Sequence, residues 1–357
     1  MSRNTVARID LSALRHNLAV VRTLAPGSRV ASVVKADAYG HGIVRIARAL
    51  QGADLLAVAT VGELRAVRGA GWTGRLLLLE GFSGVDEFEA VRALEAETVV
   101  HHPAQLELLR QRGGANGRRL WLKLDSGMHR LGFPVGDAAE LHRSLSELSG
   151  AEKPVLMTHL ACADVRDHPL NTAQFASFEA ATRGLEGERS LANSAAVLNF
   201  PSSHADYIRP GIMLYGISPM AGRQGADHGL RPVMTLSCRL LAINEAKAGD
   251  SVGYGATYRC PENMRVGVAG IGYGDGYPRG VGDGTPVLLK GRRATLAGRV
   301  SMDMLTIDLR GHDDARIGDE VVLWGEGLPV EEIARHAGAI PYELICGVTR
   351  RVKRFSR

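Results

Sequence analysis

Eight short apolar runs, separated by stretches of helical character, fill the first 210 residues, and this alternation restricts the chain to a parallel sheet crossed by helices. The runs are Val30 to Val34, Leu55 to Ala59, Leu76 to Leu79, Thr98 to Val100, Leu120 to Leu124, Val155 to Leu160, Ser190 to Asn193 and Tyr207 to Arg209. Between them, Val61 to Arg68, Val85 to Leu94, Ala104 to Arg112 and Thr172 to Arg183 carry helix formers, several with apolar residues three or four apart. Eight such repeats close a barrel, so the expected class is α/β, with an N-terminal (β/α)8 TIM-type barrel over residues 10–228. Beyond it the sequence turns β-rich and glycine-punctuated, in Val233 to Ile243, Arg265 to Ile271, Thr285 to Ala297, Asp303 to Leu309 and Glu320 to Trp324. This predicts a C-terminal, mostly-β domain over 229–357 with one helix, Val330 to Ala337. The opening strand, Thr5 to Ile9 within residues 1–9, can pair with either domain.

A chain of 357 residues, 45% hydrophobic and 23% charged, is long enough for both cores and has no disordered bias. No apolar stretch approaches the ~20 residues that span a bilayer, so no membrane association is expected. The formal charge of +5 is interleaved along the chain, which disfavours a nucleic-acid face. The exception is the tail, where Arg350, Arg351, Lys353, Arg354 and Arg357 read as a solvated or acid-paired terminus. Cys162, Cys238, Cys260 and Cys346 are scattered, and the first residues are too polar for a signal peptide, so reduced thiols in a cytoplasm are expected.

Barrel enzymes carry their chemistry on loops after the strand C-termini. Lys35 follows the first run, Arg130 the fifth, His159 ends the sixth, Ser194 follows the seventh, and Arg209 closes the eighth. By itself, a lysine ending a strand is more often a solvated rim charge. Here it is followed four residues on by Tyr39, and the hydroxyl of Ser194 with the amides of Gly211 and Ile212 lies at the usual phosphate corner of such barrels. A desolvated amine beside a phosphate cradle is the pattern of a pyridoxal 5'-phosphate lysine. His101–His102 and the His159/Cys162 pair lack the further ligands of a zinc site, so no metal is expected. The segment Gly272 to Gly280 lacks dinucleotide-loop spacing and reads as a turn.

The chain resembles the bacterial alanine racemases from end to end. The motifs that carry the resemblance are VVKADAYGHG at 33–42, KLDSGMHRLG at 123–132, THLACAD at 158–164, NSAA at 193–196, RPGIMLYG at 209–216, VGYGATY at 252–258, IGYGDGYPRG at 271–280 and GRVSMDM at 298–304. One departure is Asp37, where the family commonly has asparagine.

The resemblance implies a homodimer with shared sites and a two-base interconversion of L- and D-alanine, supplying D-alanine for peptidoglycan or consuming it. Lys35 would hold the pyridoxal phosphate and serve one face of the substrate, while Tyr254 of the partner subunit serves the other. Two bases are needed because one base returning a proton to the face it came from regenerates the same enantiomer. His159 would assist Tyr254, and Arg209 would back His159 and face the pyridine nitrogen, where an always-charged guanidinium disfavours ring protonation. Arg130 would reach the cofactor's phenolate oxygen and the substrate carboxylate, oriented by Lys123, a position often carbamylated. The amide of Met302, with Asp303 in the same loop, would bind that carboxylate. Tyr39, Ser194, Gly211, Ile212 and Tyr342 would hold the phosphate, and Tyr273 would line the substrate's approach. The alternatives are a racemase that also takes serine, a decarboxylase on the same plan, and a non-catalytic pyridoxal-phosphate carrier. Arg209 and Tyr254 argue against the decarboxylase, and the second domain against the carrier.

Overall fold

A computed structural model of the protein describes residues 4–150 and 152–357. Residues 1–3 of the expected opening segment lie outside the described residues; strand β1 (Val6–Ile9) follows them. Helix Leu11–Leu24 comes next, its first amides capped by Asp10 Oδ1, which accepts from Ser12 and Ala13 N–H at 2.8 and 2.9 Å.

Eight parallel strands then close a barrel: β2 (Arg29–Val33), β3 (Leu55–Val58), β4 (Leu76–Leu78), β5 (Glu97–Val100), β6 (Leu120–Asp125), with β7 (Phe133–Pro134) as a two-residue strand beside it, β8 (Val155–Met157), β9 (Arg189–Asn193) and β10 (Tyr207–Arg209). Closure is seen where β10 pairs in parallel with both β9 and β2. Every residue of β3, β4 and β5 is buried, as parallel strands covered on both faces must be. All eight apolar runs are therefore strands, including the short polar fourth and seventh. The barrel floor is closed by Glu97, which accepts from Arg75 Nε at 2.6 Å and Trp121 Nε1 at 2.7 Å, beneath Tyr207, whose hydroxyl accepts from Arg75 Nη1 at 2.6 Å.

The second domain is one sheet, running β11 (Met234–Ala246), β12 (Ser251–Val252) and β13 (Tyr258–Arg259) as a separate hairpin, then β14 (Met264–Ala269), β15 (Pro286–Leu289), β16 (Arg292–Leu296), β17 (Leu305–Asp308), β18 (Glu320–Trp324) and β19 (Lys353–Ser356). The spatial order is β14-β17-β16-β15-β18-β11-β1-β19, and the long β11 also pairs with β14. Strand β1 joins this sheet, antiparallel to β11 and parallel to β19, so the first and last strands lie side by side. Thr285 to Ala297, one run in the sequence, is a hairpin: Lys290 (φ 52°) and Gly291 (φ 79°) turn the chain back, a left-handed pair whose twist suits two-residue loops. A second helix, Pro341–Cys346, follows Val330–Ala337; the sequence reading had found only the first. Among the described residues no helix is long and apolar enough to cross a membrane.

Candidate active site

Lys35 leaves β2 where Val34 N–H still bonds to Ala57 O at 2.8 Å. The next residues coil the wrong way for L-amino acids. Ala36 (φ 54°, ψ 52°), Asp37 (53°, 44°) and Ala38 (54°, 53°), with Tyr39 (φ 51°), form a left-handed turn, at a cost of roughly 1–2 kcal/mol per residue. Surrounding structure enforces it. Glu63 Oε1 accepts from Ala36 N–H at 2.6 Å while its Oε2 accepts from Ala59 and Thr60 N–H at 2.9 and 3.2 Å. Asp37 Oδ1 accepts from Ile43 N–H at 2.8 Å, satisfying the first amide of the helix that follows. Gly40 ends the turn so close to the next layer that a Cβ there would lie 2.1 Å from Ile345 O. The charge of Lys35 lies close enough to Lys123 and His159 to push the pKa of each down.

Tyr39 is buried, its ring 4.8 Å from that of Tyr215 and 6.2 Å from that of Tyr342. Its hydroxyl lies over Gly211, where a Cβ would approach it to 2.3 Å. Gly211 N–H donates to Ser194 Oγ at 2.8 Å, and Ile212 follows, fully buried. Burial pushes the Tyr39 phenol well up, and burial with the charge of Asp164 pushes Tyr342 up to about 12, so both stay protonated donors. Two phenols, a hydroxyl and a glycine that leaves its backbone bare form a cradle suited to a phosphate group.

Arg209 is buried, and burial lowers its pKa to about 10. Its fork is held by Ser190 Oγ at 2.5 Å, Thr158 O at 2.7 Å and Leu191 O at 3.2 Å, all neutral acceptors. Nη2 lies 3.4 Å from His159 Nδ1. Burial first, and then the charge of Arg209, hold His159 well below its ordinary pKa. The imidazole is neutral, and since a guanidinium only donates, Nδ1 accepts and the proton sits on Nε2. Lys123 is buried beneath the mouth with its pKa pulled down to about 8 by burial and by Arg209, Arg130 and Lys35, against a small opposing effect of Asp125. Asp125 Oδ1 accepts from the amides of Gly127, Met128 and His129, shaping the loop that carries Arg130 to an exposed position.

The remaining expected residues sit on the second domain. Tyr254 occupies the turn between β12 and β13, flanked by Gly253 (φ 74°) and Gly255 (φ 77°), and is 69% exposed. The turn lies against Arg299, whose Nη1 would be 3.0 Å from a Cβ on Gly255. Tyr273 and Met302 are exposed side by side, the Tyr273 and Gly274 amides donating to Ser301 O at 3.1 Å and Met302 O at 2.8 Å. Asp303 accepts from Arg351 Nη2 at 2.5 Å. The structure thus gathers Lys35, Tyr39, Lys123, Arg130, His159, Ser194, Arg209, Gly211, Ile212 and Tyr342 around the barrel mouth, and Tyr254, Tyr273, Met302 and Asp303 on an exposed rim of the other domain. Among the described residues no hydrogen bond or ring contact joins Tyr254 to Lys35, His159 or Arg209. His101 bonds to Glu80 O and His102 caps the helix Pro103–Gln111. The sequence reading missed Glu63, whose capping-box spacing from Thr60 was a visible signal, and Arg351, hidden in the basic tail.

Residues 9–219 match the family model for the alanine racemase N-terminal domain, and residues 233–356 the model for the alanine racemase C-terminal domain. The chain belongs to the alanine racemase family. An alanine racemase of Nitrosococcus oceani is 52% identical over 350 residues, covering 98% of each chain. The solved biosynthetic alanine racemase of Pseudomonas aeruginosa has a TM-score of 0.96 at 46% identity, over 100% of both chains. A third alanine racemase, from Bartonella henselae, was solved with covalently bound pyridoxal phosphate and has a TM-score of 0.89 at 26% identity, over 100% of both chains. As an alanine racemase the chain is an isomerase; full-length likeness across both domains favours this over a decarboxylase or a carrier barrel.

Proposed function

We propose that the chain racemises alanine by a two-base mechanism on pyridoxal 5'-phosphate, in a homodimer whose sites each combine one barrel mouth with the Tyr254 rim of the partner subunit. The observation that carries this is the separation of the two candidate bases. Lys35 sits at a barrel mouth lined with cations, whereas Tyr254 stands exposed between two glycines, and among the described residues no hydrogen bond or ring contact joins the two. A second copy of the chain supplies what each half lacks.

The cradle fits the cofactor: Gly211 leaves room that a Cβ would fill, and Ser194, Tyr39 and Tyr342 offer donors around it. Bound there, the cofactor supplies an electron sink that acidifies the substrate's α-proton. Lys35 would hold the cofactor, and its amine, when free, would take or return that proton on one face. Tyr254 of the partner subunit takes or returns it on the other. His159 Nε2–H stabilises the phenolate oxygen of that tyrosine, and Arg209 keeps the imidazole in this tautomer by donating to Nδ1. With no carboxylate among its bonded partners, Arg209 presents a fixed positive charge, which disfavours a proton at a facing ring nitrogen. Lys123, part neutral near pH 8, can add carbon dioxide and release a proton, leaving a carbamate whose charge orients Arg130. Arg130 and the Met302 amide hold the substrate carboxylate, with Asp303 fixing the Met302 loop and Tyr273 beside the approach.

The test is incubation with L-alanine in deuterium oxide. D-alanine carrying α-deuterium is expected. Deuterium in L-alanine without inversion would leave only one of the two bases working and overturn the two-base mechanism, and no exchange would sink the reading altogether. L-serine run in parallel separates a strict alanine enzyme from a broader one.

A further inference from the structure

Two of the tail arginines are built into the protein. Arg354 is part-buried and gives its fork to main-chain carbonyls: Nε donates to Gly40 O at 2.8 Å, Nη2 to Val348 O at 2.8 Å, and Nη1 to Thr349 and Val352 O at 3.4 Å each. Gly40 is the residue that ends the left-handed turn after Lys35. Arg45, from the helix that follows this turn, grips the tail from the other side, donating to Ser356 Oγ at 3.0 Å and Arg354 O at 3.3 Å. Three residues before Arg354, Arg351 reaches the other half of the site. It binds Asp303 at 2.5 Å and lies 3.5 Å from Asp275, a buried residue. Its Nη1 sits over Gly274, where a Cβ would come within 2.4 Å. Thr349 adds two bonds to the same turn, its amide to Asp275 O at 3.0 Å and its hydroxyl to Gly274 O at 3.1 Å.

We propose that the C-terminal segment Val348–Ser356 is a strap that positions both halves of the machinery, Arg354 bracing the Lys35 turn and Arg351 the Met302–Asp303 loop, so that both arginines are positioning residues for the reaction. In a dimer with shared sites the two ends of the strap serve different sites, and the segment couples the site a subunit houses to the site it completes. This rests on the roles given above to Lys35 and Met302. The physical argument is strain: four left-handed residues relax unless held from outside, and a carbonyl held by a guanidinium is a stronger restraint than one facing water.

The test compares the holoenzyme with R354Q, R354K, R351Q, R351K and D303N. R354Q is expected to lower kcat by about tenfold or more with KM within about twofold. It should also loosen retention of pyridoxal phosphate on dialysis and speed hydrogen exchange over residues 36–41. R351Q and D303N are expected to raise KM by about tenfold, non-additively when combined, with kcat and cofactor retention little changed and exchange faster over residues 301–304. R351K, keeping the charge pair, should recover most of the KM. Parallel losses in kcat, KM and Tm in all variants, or faster exchange confined to residues 348–357, would overturn the strap. If R354Q does not fold, R354K, with fewer donors, carries the same exchange comparison. Hydrogen exchange is read without substrate, so absence of racemisation in the wild type would count against the proposed function while the exchange pattern still decides the strap.

Discussion

Burial sets the protonation of the cations under the barrel mouth, and two substitutions read its consequences. Lys123 has its folded pKa pulled down from 10.5 to about 8, chiefly by burial and then by Arg209, Arg130 and Lys35. Below about pH 8 the ammonium is charged in both folded and unfolded chains, and the fold bears the whole penalty of burying it. Between about 8 and 10.5 the unfolded chain keeps a proton that the folded one has released, so this residue's contribution to stability rises with pH. Melting curves across that window, in buffer free of carbon dioxide, should therefore show a rise in wild-type Tm that Lys123→Met flattens. Arg209 offers a sharper case, because lysine cannot satisfy Ser190, Thr158, Leu191 and His159 together. Arg209→Lys is expected to cost about 1–3 kcal/mol for each buried acceptor left without a donor, measured by urea unfolding, and to bring the His159 ring into motion. The identities of these residues were readable from motif and position; their protonation was not, since it depends on four cations brought together from the ends of β2, β6 and β10.

The strands of the barrel were legible because a buried parallel strand is a short apolar run whatever its neighbours do. The β15–β16 hairpin was not, because Thr285 to Ala297 reads as one β-type stretch and the positive φ of Lys290 and Gly291 reverses the chain inside it. The left-handed turn after Lys35 is further from local preference still: alanine and tyrosine have no liking for that region and aspartate alone tolerates it, and Glu63, Asp37 and the Ile345 carbonyl impose it. The barrel floor is another element set by tertiary contact. Glu97 bonds Arg75 and Trp121 there, with the Arg75 side chain 34% exposed. Glu97→Gln is expected to lower stability by about 1–3 kcal/mol, less than a fully buried pair would lose. Because the floor lies at the strand N-termini, opposite Lys35, kcat should hold within about twofold, a combination that thermal melting and steady-state kinetics check together.

At the scale of the whole molecule, the first and last strands meet in one sheet, β1 lying between β11 and β19, so both are part of the second domain's frame. The same arrangement brings the tail against the turn that carries Lys35. The division of the site between barrel mouth and exposed rim gives the clearest prediction about assembly. Lys35→Ala and Tyr254→Phe homodimers should each be inactive, and heterodimers formed from them should regain one working site, since one of their two sites inherits neither change; activity measured on purified heterodimers decides it, and no recovery would end the shared-site reading. By itself the sequence determined the barrel followed by a β domain and singled out the residues proposed for the site, because strand burial, helix spacing and long motifs are properties of neighbouring residues. Only the tertiary structure decided the left-handed turn, the neutral His159, the softened Lys123 and the contacts of Arg351 and Arg354, because each of these depends on charges and carbonyls that lie far apart in the chain and meet only when it folds.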